Sequence, residues 1–293
     1  MPPPRHFTMD DGDVILRSGM FDFQVHKSVL SLASPFFKGM FEIPQPSSTS
    51  ALPVIDISEP PDVIEFVLEY LYPVIDRQII DSLSEIHNIF TVVDKYEIAS
   101  LVPHLKERLR TFLNAYPFGV YVIGCQFKLL EEVRDAAEQS TPTDLHDAGF
   151  DDALKWISTE QFYRLMAFIE DRDKRAKSIV DRQLGDGLVK RSTCDHSGGV
   201  ETFYSNLREA IVAGFAKDPC LSIDDLCFIL DRIPDPPAGC LSPHSSDHYK
   251  RHNDEAFSCP LAPMSIRRHL KYLFDALEHD RETLAWKTFV QEE

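Results

Sequence analysis

The hydrophobic residues of this chain follow two different periods, and the change of period constrains the fold more than any other feature. Over roughly the first 110 residues, alternating apolar runs are interrupted by helical spacing, whereas nearly every apolar run after Pro117 has helical spacing. We therefore expect a small mixed domain followed by a helical region. The 293 residues are enough for both to have a buried core.

Alternating runs near the N-terminus predict three short strands. Two of them flank Ser18-Gly19, with apolar residues alternating between Val14 and Val25, which is typical of a β-hairpin. The third is Val54–Ile57. Between the hairpin and this strand, apolar residues at helical spacing break at Ser34-Pro35, so we expect a helical hairpin there.

Helical patterns follow the third strand. One helix begins at Pro61 and ends before Pro73, and two more runs are centred near Ile89 and Leu105. Strands are thus followed by stacked helices rather than alternating with them, which indicates an α+β fold for this part.

The C-terminal half has only helical patterns. Ser158-Thr-Glu-Gln161 has the spacing of a capping box, and the long helix it predicts ends before Gly185. Apolar spacing predicts further helices near Val200–Phe215, Ile223–Leu230 and Ile266–Leu284. This part is expected to be all-α.

The order of residues in the mixed part resembles the signature of BTB/POZ domains over roughly residues 10 to 112. The resemblance rests on Asp13-Val-Ile-Leu16, Phe23-Gln-Val-His-Lys27, Ala33-Ser-Pro-Phe-Phe37 and Val93-Asp-Lys-Tyr96. It implies a short sheet with stacked helices. The signature residues that it implies to be mainly structural are Phe23, Val25, His26, Leu30, Ser34, Phe36, Phe37, Met40, Phe41, Tyr72, Lys95 and Tyr96.

The helices after Pro117 resemble the C-terminal helical extension of many fungal BTB proteins. With this resemblance, the chain is predicted to have five segments. They are a short proline-containing N-terminal segment (1–12), a BTB/POZ-like domain (13–112), a helical extension (113–232), a loop or linker rich in Pro, Ser and His (233–263), and a C-terminal helix (264–293).

Charge and cysteine content narrow the class of function. The net charge of −17 repels phosphates and anionic lipid headgroups, so we expect neither a direct nucleic-acid partner nor a membrane partner. Six cysteines without repeated spacing, and the lack of any signal-like or membrane-length apolar stretch, favour a cytoplasmic or nuclear protein. Phosphate-binding loops and hydrolase or zinc-protease motifs are missing from the sequence, so we expect no enzyme and no cofactor.

One group of residues has the spacing of metal ligands. Cys240, His244, His248 and His252 are four residues apart and would share one face of a helix. The prolines around them favour an irregular, solvated loop instead. We predict no metal site, and zinc binding is the alternative.

The resemblance implies a role in binding for two charged residues. It matches Asp13 and Lys27 to the charged pair that lines the groove at the dimer centre of BTB transcription factors. The alternative is a local ion pair or helix N-cap that stabilises the monomer. Phe36, Phe37, Met40 and Phe41 are expected in the core first, with an exposed partner surface as the alternative.

These observations favour a non-enzymatic protein-interaction module that associates with itself or docks partners. The resemblance implies one alternative, a substrate adaptor of a cullin ubiquitin ligase, although the apolar-x-Glu motif of such adaptors is not recognisable in Phe41-Glu-Ile-Pro-Gln-Pro46. A second alternative is indirect transcriptional regulation, since no zinc-finger array or basic helix supports contact with DNA. The last is a zinc protein or enzyme built on the His244–His252 loop.

Overall fold

The computed structural model describes residues 8–43, 52–72, 79–149, 153–184, 197–233 and 270–281. The chain divides into two compact units. The first consists of Met1–Ala136 and His146–Ser158, and the second of Ala137–Leu145 and Thr159–Glu293. The chain therefore leaves the first unit after Ala136, returns to it at His146, and enters the second unit again at Thr159.

A three-stranded sheet opens the first unit. Strands β1 (Val14–Ser18) and β2 (Phe21–Val25) form the expected antiparallel hairpin, and β3 (Val54–Ile57) pairs with β1 in parallel. The strand order is β2-β1-β3, so β3 is an edge strand. Gly19 in the hairpin turn has a φ of 60°, a left-handed conformation that glycine adopts without steric cost.

Helices stack beside this sheet. They are α1 (Lys27–Ala33), α2 (Pro35–Glu42), α3 (Pro61–Leu71), α4 (Leu83–Lys95) and α5 (Val102–Arg110), with a 3-10 turn at Ala99–Leu101 before α5. Ser34 ends α1 and caps α2, because its Oγ accepts a hydrogen bond from the Phe37 N–H at 3.1 Å. The predicted α+β fold of this part is confirmed.

Two further helices extend the first unit. Helix α6 (Pro117–Gln126) is buried on all sides from Pro117 to Gly124. Helix α7 (Leu130–Gln139) follows it and belongs to the first unit as far as Ala136. A methyl group on Gly119 would lie only 1.9 Å from the Ala148 carbonyl oxygen, so close packing requires glycine at this position. Within the first unit, the segment from His146 thus packs against α6.

The second unit is helical where the structure describes it. Its helices are α8 (Thr159–Leu184), α9 (Ser197–Phe215), α10 (Ile223–Asp231) and α11 (residues 270–281). They bury a common core that includes Val180, Leu207, Ile211 and Leu273. The long helix α8 ends at Leu184, and the predicted helical C-terminal region is confirmed.

Candidate interaction surface

The two charged residues expected in a groove meet at the start of α1. The Lys27 N–H donates a hydrogen bond to Asp13 Oδ1 at 2.7 Å. His26, the N-cap residue, provides no side-chain cap, so Asp13 caps α1 from the start of β1. The Lys27 ammonium group lies 5.9 Å from the centre of the Phe41 ring. In this geometry Asp13 acts as a helix cap, which is the alternative given above. The role of Asp13 and Lys27 in a groove at a dimer centre stays a prediction.

His26 and Tyr72 tie the hairpin to the end of α3. The His26 N–H donates to the Tyr72 hydroxyl at 2.8 Å, and His26 Nδ1 lies 3.2 Å from the same oxygen. On the other side of the ring, His26 Nε2 is 3.1 Å from Asp11 Oδ1. Burial, together with the nearby Asp13 and Asp11 carboxylates, raises the pKa of Tyr72. Because Tyr72 is buried, this arrangement stabilises the fold rather than presenting a reactive group.

A nearly buried carboxylate, Glu59, holds the end of α4. Its Oε2 accepts a hydrogen bond from the Tyr96 hydroxyl at 2.6 Å, and its Oε1 forms an ion pair with Lys95. Burial by itself would raise the pKa of Glu59, but the hydrogen bonds from Lys95 and Tyr96 outweigh it and keep that pKa below its ordinary value. Burial, and then the Glu59 carboxylate, raise the pKa of Tyr96.

Sequence reasoning did not single out Glu59, which follows the predicted third strand. Lys95 and Tyr96 were singled out, but their partner is 36 and 37 residues away in sequence. No local pattern distinguishes a glutamate that will be buried beside a tyrosine from one that faces solvent.

Signature residues of α2 pack against Tyr96 with different degrees of burial. The Phe37 ring stacks on Tyr96 with centroids 4.9 Å apart and is buried, whereas Phe36 contacts Tyr96 edge-on at 5.3 Å and is 42% exposed. Met40 and Phe41 are half-buried. The expected core position therefore holds for Phe37 but not for Phe36, whose helix face points away from the core.

A groove in the first unit is lined by residues of several helices. It has a volume of about 340 Å³ and runs between α2, α4, the 3-10 turn, α5 and the α6–α7 connection. We call it the α4 groove. Its lining residues are Pro35, Phe90, Val93, Asp94, Glu97, Ile98, Ala99, Val102, Phe127 and Leu129. Phe36 and Tyr96 are not among these lining residues.

Two carboxylates interrupt the apolar lining of the α4 groove. Asp94 and Glu97 are exposed, and neither side chain has a hydrogen-bond or ion-pair partner in the part of the chain that the structure describes. An apolar lining with free carboxylates suits a partner segment that carries apolar and basic side chains. Sequence reasoning missed this groove because Phe127 and Leu129 come close to α4 only in the folded chain.

Neither a metal site nor a membrane span is found in the described ranges. No group of three or more His, Cys, Asp or Glu side chains there could hold a metal ion. Cys240, His244, His248 and His252 lie outside these ranges, so the prediction for that loop stays untested. None of the described helices is both long enough and apolar enough to cross a bilayer.

Comparison with known proteins agrees with this architecture. Residues 8–113 match the sequence model of the BTB/POZ domain family. Kelch-like protein 40 from Homo sapiens and from Mus musculus is 30% identical over 101 residues. That match covers 33% of this chain but only 15% of the length of each relative. The predicted resemblance is confirmed: residues 8–113 of this chain form a BTB/POZ domain, a protein-protein interaction module, and a helical C-terminal region follows it.

Proposed function

We propose that this chain is a non-enzymatic adaptor whose BTB/POZ domain docks a different protein through the α4 groove. The observation that carries the proposal is the groove itself, which has a mainly apolar lining and a volume of about 340 Å³. It lies on a BTB/POZ domain, and domains of this class mediate protein interactions. Protein-binding sites typically combine a central apolar patch with charged groups that select the orientation of the partner.

The groove offers both parts of such a site. Pro35, Val102 and Phe127 supply the accessible apolar surface, whereas Val93 and Ile98 form the buried floor. Aromatic residues at the centre of an interface commonly supply much of the binding energy. Asp94 and Glu97 then favour a partner with a basic side chain and disfavour another acidic surface.

A single substitution at Ala99 tests the proposal. Ala99 is exposed and lines the groove, so Ala99→Glu places a longer, charged side chain in it without disturbing the core. The control is Ser100→Glu, which adds the same charge at the next exposed position, outside the groove lining. Both variants are made in the full chain and checked by thermal unfolding.

The readout is affinity capture from source cells with quantitative mass spectrometry. We expect specific partners to be retained by wild type and Ser100→Glu and lost, by tenfold or more, with Ala99→Glu. Identical partner sets in all three would contradict docking through the groove. Light scattering over a range of concentrations covers self-association: a dimer of the wild type that Ala99→Glu dissociates would show that the occupant is a second copy.

A cullin scaffold is the second candidate partner. One observation favours it: the similarity to a Kelch-like protein lies within the BTB region. Similar domains present their helical region to cullins. Titration calorimetry with a purified cullin N-terminal domain gives the direct test, with saturable binding expected for wild type and Ser100→Glu but not for Ala99→Glu. Absence of heat at two temperatures, at protein concentrations of roughly 100 μM, would exclude a cullin of useful affinity, because apolar burial changes the binding enthalpy with temperature.

A further inference from the structure

Strand β3 is an edge of the sheet, and no described strand pairs with its outer side. Ile15 donates its N–H to the Pro53 carbonyl and pairs with Val54 in parallel register, so the N–H and C=O groups of Val54 and Asp56 point away from β1. Neither residue makes a backbone hydrogen bond to any other described part of the chain. Unpaired groups of this kind can pair with another extended segment.

Charges of alternating sign cross the sheet and end at this edge. Arg17 on β1 lies opposite Asp22 on β2 and forms two hydrogen bonds with it, of 2.7 and 3.0 Å. On its other side, Arg17 is in register with Asp56 on β3. The order across the solvent-facing side of the sheet is therefore negative, positive, negative, and the next position beyond Asp56 is the open edge.

The neighbouring row begins with Gln24 on β2 and is apolar on β1 and β3. Ile15 on β1 is in register with Val54 on β3, and 42% of Val54 is exposed. Val54 and Asp56 are two residues apart and so share one face of the strand. A fourth strand would thus meet an apolar side chain and a carboxylate at adjacent positions on the same face.

We propose that β3 binds one extended segment of a partner protein as a fourth strand, with a lysine or arginine opposite Asp56 and an apolar residue opposite Val54. The basic residue would extend the row of alternating charges across the sheet, and opposite charges at directly facing positions stabilise strand pairing. Backbone hydrogen bonds to Val54 and Asp56 would supply affinity, and the two facing side chains would supply selectivity.

A second copy of the chain fits this edge less well. In an antiparallel self-pairing centred on Ile55, Asp56 would face Val54 of the other copy and gain no ion pair. Centred on Asp56, the pairing would place two carboxylates opposite each other, which is destabilising. The net charge of −17 per chain adds a general repulsion between copies.

Two short peptides test the proposal on the full chain. In each, threonine and valine alternate around a central residue, which is lysine in one peptide and aspartate in the other, so that valines flank the central residue on the same face. Binding is followed by the amide NMR signals of Val54 and Asp56 and by their hydrogen exchange. We expect the lysine peptide to bind in the millimolar range, roughly fivefold more tightly than the aspartate peptide, and to protect both amides.

The variant Asp56→Lys provides the matched control. The substitution places a second cation beside Arg17, but Arg17 keeps its two hydrogen bonds to Asp22 and residue 56 is exposed, so we expect a small loss of stability, which thermal unfolding checks. It should reverse the preference so that the aspartate peptide binds more tightly. Equal affinities for the two peptides, shifts that map away from β3, or no binding up to several millimolar would each overturn the proposal. So would a concentration-dependent dimer that Asp56→Lys abolishes. None of these outcomes depends on the α4 groove.

Discussion

Single side chains buried beside α2, α4 and α3 support the surface on which binding would occur. Glu59 offers the clearest case, because one carboxylate, only 9% exposed, joins Lys95 and Tyr96. Glu59→Gln should lower the free energy of unfolding at pH 7 by about 2 kcal/mol, since it removes the charge from a hydrogen-bonded pair but keeps the shape. Urea unfolding measures this loss, with the exposed substitution Glu107→Gln as the control.

The difference in free energy of unfolding between wild type and Glu59→Gln should disappear in acid. The pKa of Glu59 is lower in the folded chain than its ordinary value of 4.5, so the folded chain binds this proton less readily than the unfolded chain. The stabilisation is therefore present above that ordinary value and disappears as the pH falls through the folded pKa. The free energies of unfolding of wild type and Glu59→Gln should converge as the pH falls below 4.5 and through the folded pKa. A constant difference across this range would show that the charge of Glu59 is not its source.

Tyr72 should contribute through its hydroxyl. Tyr72→Phe removes the acceptor of the His26 N–H and leaves that donor without its partner, so we expect a loss of about 1 to 2 kcal/mol in urea unfolding. Tyr70→Phe is the matched control, because its hydroxyl hydrogen bond to the Ser100 carbonyl is exposed. Losses of equal size in the two variants would contradict the role assigned to Tyr72.

The sequence singled out the residues of the BTB signature but not all of the side chains that they contact in the folded chain. Ser34, Lys95 and Tyr96 stand at fixed places in a recognisable order, whereas Glu59 does not. Phe36 and Phe37 show a related limit: adjacent phenylalanines at a helix start read alike, and only the packing of Tyr96 between α2 and α4 determines which one is buried.

At the scale of elements, the start of α1 depends on a side chain from another element. Asp13→Ala should cost about 1 kcal/mol in urea unfolding, because the first turn of α1 loses its cap. Asp13→Asn keeps an oxygen acceptor and should recover most of that loss. A purely local cap also implies that Lys27→Glu leaves partner binding unchanged, since only the backbone N–H of Lys27 takes part. Equal losses for the alanine and asparagine variants would point to charge rather than capping.

Replacing glycine by alanine should have opposite effects on stability in helices α2 and α6. Gly119→Ala should destabilise the protein by about 1 to 3 kcal/mol, because the added methyl group meets the Ala148 carbonyl. Gly39→Ala, in open space on α2, should instead stabilise it by about 0.5 to 1 kcal/mol through the higher helix propensity of alanine. Differential scanning calorimetry compares the two. Similar effects at both positions would contradict the close packing of α6.

Element boundaries were predictable where the sequence carries a local signal. Ser34-Pro35 separates α1 from α2, and Pro61 begins α3, because proline and side-chain caps act within a few residues. The α4 groove has no such signal. It requires Phe127 and Leu129 to reach α4, and α6, buried on every side, shows no amphipathic pattern that would reveal which elements it contacts.

At the scale of the whole molecule, the first compact unit is longer than the BTB/POZ domain that it contains. The family match ends at residue 113, and we predicted a boundary at 112, but the first compact unit continues to Ala136 and includes His146–Ser158. His87 on α4 shows why: its Nε2 lies 2.8 Å from Gln126 Oε1, and its ring is 4.4 Å from that of Trp156. Both partners lie beyond the matched domain.

A fragment of residues 1–158 should therefore be more stable than a fragment of residues 1–113. The shorter fragment lacks α6, leaves buried His87 without Gln126 and Trp156, and exposes apolar surface that α6 covers. We expect it to melt at least 5 °C lower, since a loss of about 1 kcal/mol shifts the melting temperature of a domain near 100 residues by roughly that much. Circular dichroism melts at matched concentrations make the comparison, and His87→Ala in the longer fragment should account for part of the difference. Equal melting temperatures for the two fragments would show that residues 1–113 already contain every contact that stabilises the domain, and would place the boundary at 112 as predicted.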